Sequence, residues 1–158
     1  MKAVTAKEIK QELNNRSQKE LLDLCLRLSR FKKENKELLT YLLFESSDEE
    51  YYIESVKKES DEQFDKVNKK SPYFIRKSIR TILKNAKKYI RYSQKKETEV
   101  ELLLYFCEKM KNFSPSINQN KRIENIFIRA IDSIEKKILF LHEDLQFDYK
   151  MELDALSE

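Results

Sequence analysis

The stretch SPYFIRKSIRTILKNAKKYIRYS, residues 71–93, has the period of one long amphipathic helix. Ser71 is placed to cap it, and Pro72 stands at the first helical position, where its missing N–H leaves no bond unmade. At about 100° per residue, Ile75, Ile79, Ile82, Leu83, Ala86, Tyr89 and Ile90 fall on one face, which is expected to be buried. Arg76, Lys77, Arg80, Lys84, Lys87, Lys88 and Arg91 fall within about 120° of Arg76 and form a stripe roughly 22 Å long. Tyr73 projects near its start and Tyr92 near its far edge.

No acid occurs between Lys66 and Lys96. Arg76–Arg80, Arg80–Lys84, Lys84–Lys88 and Lys87–Arg91 are like-charge pairs at i,i+4, each costing about 0.2–0.5 kcal/mol. A face that accumulates such cost calls for an anionic partner, from within the chain or from outside it. The internal rival lies immediately upstream. Glu45, Asp48, Glu49, Glu50, Glu54, Glu59, Asp61, Glu62 and Asp65 face only Lys57 and Lys58 in a helix that begins at Ser46-Ser47-Asp48 and runs to about Val67. A short connection makes this helix and the basic one antiparallel neighbours.

Outward from this pair the remaining signals are also helical. Thr5 with Glu8 and Ser17 with Glu20 are capping boxes that open helices to about Asn14 and Phe31. The second is apolar nearly all round, through Leu21, Leu22, Leu24, Cys25, Leu28 and Phe31, and is therefore expected at the centre of the core. Further helices are expected over about 35–44, 97–111 and 121–142. The segment Glu37–Tyr41 echoes Glu101–Tyr105, a spacing that would suit stacked helix pairs. The expected fold is all-α: a bundle or short solenoid-like array of six to seven helices in antiparallel pairs, with no β-sheet. Residues 1–143 are expected to form a single domain.

The tail, 144–158, reads differently. Leu145, Phe147, Tyr149, Met151 and Leu153 alternate with polar residues, which is strand periodicity, yet no second strand is available to pair with them. An acidic tail that is extended or disordered is the expectation, with these five residues as a partner-binding segment.

Composition narrows the chemistry. The 158 residues include no glycine against an average usage of about 7%. Gly-rich phosphate loops, dinucleotide fingerprints and nucleophile elbows are thereby excluded. His142 is the one histidine, and Cys25 and Cys107 lie far apart in apolar runs where buried free thiols are expected. No catalytic, cofactor-binding or metal-ligating residue is nominated. With two thiols, no apolar leader and no membrane-length apolar run, a cytoplasmic location is the expectation. The expected work is non-enzymatic binding of a partner protein through the helical surface or the tail. The alternative is nucleic-acid binding through the basic face of helix 72–92, with Tyr73 and Tyr92 available to stack on bases.

Overall fold

A computed structural model describes residues 1–157, with side chains described to Leu156. Among the described residues there are eight α-helices and no strand: α1 (Ala6–Asn14), α2 (Gln18–Phe31), α3 (Lys33–Thr40), α4 (Glu49–Asp65), α5 (Pro72–Ser93), α6 (Lys96–Lys111), α7 (Lys121–Ile138) and α8 (Glu143–Ser157). One π-helical turn, Tyr41–Glu45, follows α3, and one 3-10 turn, Ile117–Gln119, precedes α7. The all-α expectation holds, with one or two more helices than the sequence suggested. The single domain expected over 1–143 is corrected, because the chain divides into two compact units, Met1–Phe44 and Glu45 onward. The Glu37–Tyr41 echo does not mark a structural repeat: its first copy runs through α3 into the π turn, and its second lies inside α6.

The first unit is built from local signals. Thr5 Oγ1 accepts from the Glu8 N–H at 3.3 Å while the Thr5 N–H donates to the Glu8 carboxylate at 2.8 Å. Ser17 and Glu20 repeat the arrangement at the same two distances. Helix α2 packs on α3, yet no residue of α1, α2 or α3 is buried. The expectation that α2 forms the core is therefore corrected. Helices of 9, 14 and 8 residues cannot enclose a side chain on every side of α2. Cys25, expected to be buried, is exposed for the same reason.

In the second unit the central place belongs to α6, which packs against α4, α5, α7 and α8. Its Thr98, Val100, Leu102, Leu103, Leu104, Phe106, Cys107 and Met110 are all buried, so it is enclosed nearly all round. Ile79 of α5 and Ile134 and Ile138 of α7 are sealed against it, each fully buried apolar side chain contributing about 1.5–3 kcal/mol. Directions follow from cross-helix bonds. The Tyr52 hydroxyl donates to the Tyr89 carbonyl at 2.9 Å and the Asn85 amide to Gln63 at 2.8 Å, so α4 and α5 are antiparallel as expected. Lys57–Glu101 and Asp61–Lys109, both 2.8 Å, set α6 parallel to α4. Short turns then return α7 alongside α5 in the same direction, and Lys137–Glu99 at 2.6 Å ties the end of α7 to the start of α6.

The tail is a further correction. Residues 143–157 form helix α8, packed on α6 and α7 and not extended or disordered, while Glu158 lies outside the described residues. The alternation in the sequence hides a helical subset. Leu145, Tyr149 and Leu153 are four apart and turn inward, with Leu153 only 4% exposed. Phe147 and Met151 turn outward, at 66% and 60% exposed. A lone strand would leave its backbone groups unpaired, whereas a helix pairs them internally. The Lys111 ammonium also donates to the Ala155 carbonyl at 2.9 Å. Helix α7 accordingly stops at Ile138, short of the expected His142, so that the chain can turn into α8.

Candidate anion-binding groove between α5 and α7

The buried face of α5 is Ile75, Ile79, Ile82, Ala86 and Ile90, as the period predicts. Ser71 is extended and precedes Pro72, but its side chain makes no capping bond. At the other end the glycine-free chain leaves α5 through Gln94 in the left-handed region at φ 59°, a conformation that costs a residue with a Cβ about 1–2 kcal/mol. Tyr89, expected on the buried face, is half-buried, and its hydroxyl donates to Glu59 at 2.8 Å. Leu83, also expected there, is half-buried because it floors a groove.

That groove, about 620 Å³, runs between α5 and α7. Arg76, Arg80, Lys84, Lys87 and Arg91 line it from α5, and Arg122 and Arg129 from α7. Leu83, Leu103, Ile126 and Ala130 supply apolar lining, Asn125 and Ser133 add polar groups from α7, and no carboxylate lines it. Among the described residues none of the seven cations forms an ion pair. Arg76 makes one aromatic contact, its guanidinium 5.9 Å from the Tyr73 ring centre. Low-dielectric walls on both sides strengthen the field that such a cluster presents to an anion.

Most acids of α4 are engaged elsewhere. Glu49 accepts from the Thr98 hydroxyl at 2.6 Å and from the Ser93 hydroxyl, and pairs with Lys95 at 2.9 Å. Glu54 pairs with Lys57, Asp61 with Lys109 and the Tyr105 hydroxyl, and Glu59 takes the Tyr89 hydroxyl. The α4 helix thus spends its charge toward α6 and the far edge of α5. The α8 acids lie against α6 on another side, where Glu101, Glu108, Tyr149 and Glu152 share a second cleft with Lys57. Burial, then the Glu101 charge, pushes the Glu152 carboxyl up, and burial with Glu101, Glu97 and Glu152 pushes the Tyr149 phenol up to about 12.

Of the seven cations expected to form the stripe, five line the groove. Lys77 is exposed outside it, and Lys88 lies 4.5 Å over the Tyr89 ring centre. Tyr73 is exposed and stacks edge-on with Phe74, whereas Tyr92 is 8% exposed and buried in the unit. The expectation that Tyr92 stacks on a base is therefore corrected: it follows the buried Ile90 where the helix face turns into the core. Arg122 and Arg129 were missed. A signal for them existed, since Arg122, Asn125, Arg129 and Ser133 return to one face of α7 at helical spacing. Of the tail residues expected to bind a partner, Leu145, Tyr149 and Leu153 are taken up by the fold and only Phe147 and Met151 remain outward.

Cys107 is buried, its thiol pushed up to about 12 by that burial, and His142 is exposed 3.5 Å from Asp144. Among the described residues no cluster of His, Cys, Asp and Glu is placed to hold a metal, and no helix is long and apolar enough to cross a membrane. No protein-family model matches the chain, and neither a curated protein nor a solved structure matches it.

Proposed function

We propose that this chain is a non-enzymatic, cytoplasmic binding protein whose groove between α5 and α7 takes the phosphate backbone of a nucleic acid. The observation that carries the reading is the set of seven unpaired cations around one acid-free groove. Like charges gathered without a counter-ion around one groove cost stability through repulsion, and a ligand phosphate removes that cost. The row from Arg76 to Arg91 spans about 22 Å. One strand of a duplex passes roughly six phosphates over that length, at about 3.4 Å each. Five of the seven are arginines, whose forked donors match phosphate oxygens.

The test is reversal of the two α7 cations, Arg122→Glu with Arg129→Glu, read by anisotropy of a labelled 20-nucleotide oligomer. Both side chains are exposed, so the fold is expected to persist. Binding by the native chain that falls at least tenfold in the variant supports the groove. Unchanged binding would mean that the outer face of α5 alone is the contact.

A reading with a protein partner keeps one observation of its own. Leu22, Leu28 and Phe31 in α2 and Leu42, Leu43 and Phe44 after α3 are exposed apolar side chains clustered within one small unit. Charge-neutral substitution of Leu28 and Phe31 by Ser, with sedimentation before and after, tests whether that face holds an assembly together.

A further inference from the structure

We infer that the groove selects a single strand over a duplex, an inference that rests on the nucleic-acid reading above. The first ground is shape. A helix reads a duplex by entering the major groove, about 12 Å wide, and must stand proud of its neighbours to do so. Here the cations of α5 face a concave space whose opposite wall is α7, with Arg122 and Arg129 on that wall. Packed helices lie about 8–10 Å from their neighbours, so a duplex meets only the rims of such a space, whereas one strand lies inside it.

The second ground is chemistry. The groove carries Leu83, Leu103, Ile126 and Ala130 between its two cationic walls. A paired, stacked duplex keeps its base faces hidden and gives this apolar surface nothing to cover. A single strand presents base faces to it and phosphates to the walls together. Arginine planes stack on unpaired bases as well as bonding phosphate, and Asn125 and Ser133 offer donors and acceptors to base edges. The volume of about 620 Å³ is that of a small-molecule pocket, enough for bases entering a few at a time.

The experiment compares one labelled 20-nucleotide strand with the duplex of the same sequence at fixed salt, using the full chain. The strand is expected to bind at least tenfold more tightly. Arg129→Lys, which keeps the charge and removes the plane, is expected to lower strand affinity several-fold and duplex affinity by less. A duplex that binds as tightly as the strand overturns strand selection and leaves the phosphate reading standing. Binding of neither overturns both. Strand affinity untouched by Arg129→Lys overturns the stacking role assigned to that side chain.

Discussion

The α4–α6 seam and the α5–α7 groove both gather charged side chains from two helices of one bundle, and they treat them in opposite ways. In the seam charges find protein partners: Lys57 with Glu101, Asp61 with Lys109, and Glu49 with Thr98, Ser93 and Lys95. In the groove seven cations stand around apolar lining with no carboxylate among them. The seam is charge used to align helices, and its partly buried partners are costly to separate. The groove is charge held apart from the abundant acids of the same chain. The first serves the fold, and the proposed function gives the second to a ligand.

The largest expected effect would break the comparison if it failed. Reversing Arg80, Lys84 and Lys87 to Glu is expected to lower nucleic-acid affinity by about a hundredfold or more, through loss of three phosphate contacts. Thermal stability should hold or rise, because each like-charge i,i+4 pair that is removed returns about 0.2–0.5 kcal/mol. A fall in Tm would show that these cations are paired within the fold after all.

Leu153→Ala comes next, at about 2–3 kcal/mol lost in denaturant unfolding, since the side chain is buried where α8 packs on its unit. An unchanged midpoint would return the tail to the role of a free segment. Glu49→Ala sharpens the seam side. It leaves the buried Thr98 hydroxyl without its acceptor and is expected to cost about 2 kcal/mol, with oligonucleotide binding unaltered.

The smallest effect concerns pH. The Glu152 carboxyl is raised by burial and by Glu101, with Asp148 and Glu108 adding and Lys57 opposing. The folded state then holds that proton more tightly than the unfolded chain does. Ionisation therefore removes stability as pH rises from the ordinary value of 4.5 through the raised folded value. Glu152→Gln should raise Tm at neutral pH and make no difference below about pH 4. Equal gains at both pH values would place the cause outside ionisation.

How much of this was legible in the sequence follows from what each signal depends on. The core face and the cation row of α5 depend only on spacing along one helix, and both were readable. The two-walled groove was half readable. Arg122 and Arg129 stand seven apart beside Glu124 and Asp132, so they make no charge run, and only packing puts α7 beside α5. Whether α4 neutralises the stripe could not be read at all, because it depends on which side of α4 meets α6. Apolar coverage nearly all round marked α2 as central, yet it is α6 that has four helices, α4, α5, α7 and α8, to enclose it. In the tail, the alternation of Leu145 to Leu153 masked the i,i+4 subset that the packed helix uses.

The salt dependence of single-strand binding tests the central claim most directly. With four or more of the seven cations on phosphates, log affinity should fall linearly with log salt at a slope of about 3–5, and the Arg80, Lys84 and Lys87 reversal should reduce that slope by about 2. Absence of binding at low salt, or a slope that the reversal leaves unchanged, would contradict the account.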